Sequence, residues 1–341
     1  MRAMRPFGYC LISVAAFCGT ALGLRLCLPA PNIAGISPKI QFIQQHGDEI
    51  DTLFIGSSRV YHGVNPGVFD ALTAAAGVPT HSYNFGVDAM LPPETFYLAD
   101  QILATKPQKL RWVFIELEDI QVTITPEHVR TQRALSWHDW KRTWIVARKL
   151  LELDVREKWK QKRNRLLRHH GALAMHSRLF LQNVANPGRF FDLTRWYPEE
   201  EDASLLEYEP RGDGYAPTMV PLEGERRARY EQWVSRDSAS AKPREVDRYA
   251  DQAFRHYAQE FRAIGATPIF FVMPGSATYL PSRFIGTQPA AVMAFNDART
   301  FPGLYVASGR IDEGHLNAAG ADEFTRLLAL RFLSWKRDAK G

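Results

Sequence analysis

Ile50-Asp51-Thr52-Leu53-Phe54-Ile55-Gly56-Ser57-Ser58-Arg59 is the stretch on which the fold turns. The apolar run 50–55 reads as a short buried strand, and Gly56 permits a sharp turn at its carboxyl end, where open α/β sheets bind ligands. Ser58 then stands at the rim of a sheet. A serine hydroxyl is a weak nucleophile until a neighbouring base takes its proton, and that base is commonly a histidine oriented by a carboxylate. Such a pair lies near the other end of the chain, in Asp312-Glu313-Gly314-His315-Leu316-Asn317. Three residues apart, Asp312 can bond one imidazole nitrogen of His315 while the other faces Ser58. Taken singly, each segment is ordinary turn chemistry; in this order and at strand ends, the two read as halves of one hydrolytic site.

Working outward from residue 50, strands and helices alternate. Asn65-Pro66 supplies a cap and a first-turn proline for a helix reaching about residue 76. Strands are expected near 82–85, 112–117, 267–273 and 303–306, with helices near 93–104, 244–264, 289–301 and 318–335. Five short apolar strands with helices between them imply a parallel sheet covered on both faces. The expected fold class is α/β, a flavodoxin-like three-layer sandwich with a five-stranded parallel sheet of order 2-1-3-4-5 and a mainly helical insertion. Ser58 after the first strand and His315 after the fifth would share the carboxyl edge.

At these residues the chain resembles the SGNH (GDSL-like) hydrolases. Gly56-Ser57-Ser58 is similar to their Gly-Asp-Ser block with Ser57 in the Asp position, which nominates Ser58 as nucleophile. Asp312 and His315, followed by Leu316-Asn317-Ala318-Ala319-Gly320, match their Asp-x-x-His block. Tyr83-Asn84-Phe85-Gly86 resembles the second block and nominates the Gly86 N–H, with that of Ser58, for an oxyanion hole. The third block should bring an asparagine, yet the corresponding strand end reads Glu116-Leu117-Glu118-Asp119. An ionised Glu118 cannot donate a hydrogen bond, so either Asn84 or Arg59 substitutes, or the hole has fewer donors. The resemblance covers about 50–86, 111–119 and 267–335. In its Gly-Ser-Ser-Arg variant, its N-terminal apolar segment and its long insertion, the chain looks most like the membrane-attached SGNH-like proteins of bacterial envelope polymer acylation, among them those of alginate O-acetylation and teichoic-acid D-alanylation.

The chain has 341 residues, 45% of them hydrophobic, and a formal net charge of +5; a full core is affordable and global disorder is excluded. Arg2 and Arg5 precede an uncharged stretch, 7–24, that ends at Arg25. Residues 1–28 therefore read as an uncleaved signal anchor at the inner membrane, with positive charge inside and the rest of the chain outward. Residues 29–49 read as a proline-rich spacer, and 50–335 as the SGNH-like domain with its insertion at about 120–243. Cys10, Cys18 and Cys27 all lie in or beside the anchor, so the remainder is free of cysteine, as suits an oxidising compartment. No zinc-type Cys/His spacing occurs and no cofactor is implied. Adjacent His169 and His170 would face different sides of a helix.

Within the insertion, residues 139–168 carry 11 basic residues against four acids. They read as one long helix whose apolar face is Trp140, Trp144, Ile145, Leu150, Leu151, Val155 and Trp159. Its charges belong in water or against anionic lipid headgroups or an anionic polymer, and nucleic acid does not fit an external location. Residues 197–224 read as a loop able to cover the site, in which Asp213 is turn chemistry rather than a metal ligand. Pro274-Gly275-Ser276 should line the pocket. The expected function is a serine esterase or O-acyltransferase acting on an envelope polysaccharide or lipid-linked acyl group, with a membrane-bound acyltransferase as a partner. The alternative is a catalytically weak or inactive accessory protein that binds polymer or such a complex.

Overall fold

The computed structural model describes residues 4–27, 32–153, 155, 156, 158–185, 209, 211–240 and 242–339. The sheet is five-stranded, entirely parallel and ordered β2-β1-β3-β4-β5. Its strands are β1 (Thr52–Gly56), β2 (Ser82–Gly86), β3 (Trp112–Glu116), β4 (Thr267–Val272) and β5 (Ala291–Ala294). Gly56 of β1 is in register with Gly86 of β2, so the ends of both strands reach the carboxyl edge together.

Helices cover both faces. On one, Phe54 and Phe114 pack against Phe69 of α4 (Pro66–Ala75) and Phe332 of α11 (Ala318–Asp338), with ring centroids 4.9–5.6 Å apart. On the other, Phe270 packs on Phe254 of α10 (Arg248–Ala263) at 5.5 Å, and Phe254 packs on Phe96 of α5 (Glu94–Thr105) at 5.0 Å. Aromatic rings at these separations bury large apolar areas and interlock edge to face. They make the outer layers inseparable from the sheet.

The fifth strand lies earlier than its sequence pattern places it. Residues 291–294 form β5, inside the stretch expected as a helix, while 303–306 fall on a 3₁₀ turn at Pro302–Tyr305. Pairing with Ile269 to Val272 of β4 overrides the helix-forming alanines, because a strand position is decided by its neighbours more than by propensity.

Residues 37–46 are not a spacer. They form α2 (Ser37–His46), with Pro38 in its first turn and Lys39 and Ile43 buried. Lys39 Nζ donates to Asn84 O at 3.0 Å and Gly214 O at 2.9 Å, pairs with Glu209 at 2.9 Å, and lies 4.5 Å from the Tyr61 ring. The α2 helix is thus fastened into the unit formed by residues 35–121 and 202–341.

Residues 1–34 and 122–201 form a second compact unit. Its first helix is α1 (Met4–Cys27). Among the described residues no helix is long and apolar enough to cross a membrane, which overturns the single-pass anchor and the inner-membrane placement expected from it. The uncharged stretch 7–24 includes Gly8, Ser13, Gly19, Thr20 and Gly23. Its 18 residues rise only about 27 Å, against about 30 Å of bilayer hydrocarbon. The long basic helix is likewise two helices, α7 (Trp140–Leu151) and α8 (Trp159–Ala185). Glu152 ends α7 in a left-handed conformation and is held by Arg165 of α8 at 2.8 Å. The face of α7 that is buried carries Arg142, Val146 and Leu150, and Trp140 and Trp144 stack on each other outside it. Residues 197–208 of the expected covering loop lie outside the described residues.

Candidate active site

The turn after β1 is built to hold one hydroxyl at the sheet edge. Ser57 caps α3 (Ser58–Gly63), its side chain accepting from Arg59 N at 3.3 Å. A Cβ on Gly56 would lie 2.3 Å from Val60 Cγ2 and 2.6 Å from Glu116 Oε2, so only glycine lets strand, helix and Glu116 meet there. Glu116 Oε2 accepts from Ser57 N at 2.7 Å, and its Oε1 accepts from Arg59 Nε at 2.9 Å. Arg59 also pairs with Glu118. Residues 57 and 59 are therefore clamped from β3, and Ser58 between them is turned outward.

The second half comes from the chain before α11. Asp312 Oδ1 accepts from Gly314 N and His315 N, both at 2.8 Å, which folds residues 312–315 into a tight turn. Arg310, fully buried, donates to Leu304 O and Pro274 O and fastens the base of that turn. Asn317 then caps α11 by accepting from Gly320 N at 3.1 Å. The result is a continuous relay. His315 Nε2 lies 2.7 Å from Ser58 Oγ, and His315 Nδ1 lies 2.9 and 3.0 Å from the two oxygens of Asp312. Burial pushes the Asp312 carboxyl up, but hydrogen bonds and charge from His315 outweigh it and bring the group down to about 2. An ionised Asp312 fixes the proton on Nδ1, leaving Nε2 as the acceptor that faces Ser58.

The two nominated donors beside the triad are committed elsewhere. Asn84 is fully buried, and its Nδ2 donates to Val60 O at 2.8 Å and Val64 O at 2.7 Å, closing the carbonyl end of α3. Gly86 N donates to Asn84 Oδ1 at 2.8 Å. Gly86 is there for close approach, since a Cβ would lie 2.3 Å from Tyr61 N. Arg59 is directed to the two glutamates. The Ser58 N–H heads the first turn of α3, where helix donors have no acceptor within the helix.

Sequence reading missed His62, whose ring centroid is 6.2 Å from that of His315. Its Nδ1 faces Ala216 O at 2.8 Å and its Nε2 faces Asp88 at 3.2 Å. Burial opposes charge on the ring, but the two acceptors outweigh it and raise His62 above its ordinary value. Position four after Ser58 on a helix was the signal that could have placed it on the same face. The sequence reading also missed Glu116 as the clamp, although it ends a strand adjacent to β1. Among the described residues no group of three or more His, Cys, Asp or Glu side chains could hold a metal ion. The chain matches no protein-family model, no curated protein and no solved structure.

Proposed function

We propose that the protein is a serine esterase or O-acyltransferase working through Ser58, His315 and Asp312. The observation that carries the reading is the continuous hydrogen-bonded line from Ser58 Oγ through His315 to Asp312. In this mechanism Ser58 Oγ attacks an ester carbonyl and gives its proton to His315 Nε2. The imidazolium that forms is balanced by Asp312. The tetrahedral oxyanion is met by the Ser58 N–H, and the C–O bond to the alcohol breaks as His315 returns the proton to the leaving oxygen. Water or a sugar hydroxyl, deprotonated by His315, then attacks the acyl-Ser58 ester and regenerates the serine. Water gives an esterase and a hydroxyl gives a transferase.

One observation favours the alternative of a weak or inactive accessory protein. With the Gly86 N–H and the Asn84 amide spent inside the fold, the oxyanion has fewer donors, and each lost donor costs about 10²–10³ in rate. A fluorophosphonate probe separates the two. A Ser58 activated by His315 is labelled covalently and Ser58→Ala is not; failure of the wild-type chain to label removes the enzymatic reading.

A further inference from the structure

Beyond the triad, the carboxyl edge of the sheet carries a cavity of about 340 Å³ lined by Glu118, Asp119, Gln121, Arg244, Thr278 and Tyr279, closed by Leu280 and Pro281. It adjoins the candidate active site through one side chain, because Glu118 lines it and pairs with Arg59, the neighbour of Ser58. Its walls are anchored. Asp119 accepts from Asp247 N at 2.7 Å and pairs with Arg244 at 2.6 Å. Arg244 also donates to Tyr279 O, and Gln121 N donates to Pro92 O at 2.8 Å.

One feature asks for a ligand. Tyr279 is 63% exposed, so a large amphipathic ring is held at the mouth with nothing covering it. The rest of the lining is planar and polar: carboxylates that accept from hydroxyls, and an amide that both donates and accepts. A ring stacking surface beside fixed polar side chains is the chemistry that recognises a pyranose. The volume, at the lower end for small-molecule sites, holds about one such ring. The carboxylates of Glu118 and Asp119 disfavour an anionic sugar, and Arg244 is already neutralised by Asp119.

We propose that this cavity is a subsite for an uncharged sugar residue, which holds a glycan so that an acyl group or hydroxyl on the adjoining residue reaches Ser58. The substrate class follows as a neutral glycan, and the assignment rests on the acyl-transfer reading of Ser58. The sugar's hydroxyls donate to Glu118 and the Gln121 oxygen, and the apolar face lies on Tyr279.

The test is calorimetric titration of the full chain with hexasaccharides, neutral β-glucan, neutral xylan and polyuronate, alongside fluorophosphonate labelling of the same preparation. A neutral hexasaccharide is expected to bind, and Tyr279→Ala and Gln121→Ala should each weaken it about tenfold, or about 1.4 kcal/mol. Arg299→Ala, an exposed residue paired with Asp297, should leave the affinity unchanged. The subsite is overturned if no neutral hexasaccharide binds at about 10 mM, where a 1 mM dissociation constant would be near saturation. It is equally overturned if polyuronate alone binds, with an affinity lost in salt and indifferent to Tyr279→Ala. Labelling without sugar binding removes the subsite and leaves the serine chemistry standing; sugar binding without labelling supports the subsite and removes the serine chemistry.

Discussion

Glu116 holds Arg59 at 2.9 Å through one carboxylate oxygen while its other oxygen takes the Ser57 N–H at 2.7 Å, so a buried side chain of β3 brackets Ser58 from both sides. An amide in its place keeps one acceptor and turns a donor toward Arg59 or Ser57. Glu116→Gln should therefore destabilise the fold by about 1–3 kcal/mol. It should also lower kcat about tenfold with little change in KM, because it loosens the nucleophile and not the substrate. A change confined to KM would show that Glu116 does not position Ser58.

Adjacent serines have separate jobs, which gives the second prediction. Ser58→Ala should abolish turnover of a small acetyl ester and remove fluorophosphonate labelling. Ser57→Ala removes the cap of α3, for which about 0.5–2 kcal/mol of stability is the usual cost, yet leaves the relay intact. Thermal unfolding and ester turnover measured on both variants check the division. Equal loss of activity in the two would show that Ser58 is not the nucleophile.

The parts legible in the sequence were those fixed by local pattern. The run ending at Gly56, the Asn65-Pro66 helix start and the Asp312-to-His315 spacing each state their geometry within a few residues, and the parallel sheet follows from the alternation of elements. What the sequence hid depends on contacts across the chain. Asn84 looks like a free donor until Val60 and Val64 carbonyls claim its amide. Residues 291–294 read as helix because Ala291, Met293 and Ala294 outweigh the single β-branched residue, Val292. Only the ladder offered by β4 makes them a strand. The α2 helix reads as spacer because Pro38 and its polar residues resemble a linker, and the burial of Lys39 is set by Asn84, Glu209 and Gly214 far along the chain.

Asp312 supplies a pH signature with a definite sign. Its folded-state value, about 2, lies below the ordinary carboxylate value of about 3.9, so it contributes stability above the unfolded value and loses it as pH falls toward 2. The melting-temperature difference between wild type and Asp312→Asn should therefore be largest above about pH 4 and should shrink as the solution is acidified. In activity, Asp312→Asn should be milder than His315→Ala, since the aspartate orients the ring and the histidine moves the proton. A melting difference that grows on acidification would contradict the Asp312 assignment.

The last prediction concerns Lys39. Its ammonium is buried, lies 2.9 Å from Glu209 and donates to backbone carbonyls of β2 and of residue 214, so it joins α2, the edge strand and the segment that follows Glu209. Burial lowers its pKa, and the Glu209 charge pulls it back only in part. Lys39→Ala would leave Glu209 buried and uncompensated, a change that typically costs about 3–5 kcal/mol, whereas Lys39→Ala combined with Glu209→Ala removes both charges and should recover part of the loss. For the same reason a chain beginning at residue 47, without α2, should unfold at a markedly lower denaturant concentration than one beginning at residue 35. Denaturant midpoints for the single, double and shortened variants measure this directly. If the double variant is no more stable than Lys39→Ala alone, the pair is not coupled and α2 is held by its apolar contacts instead.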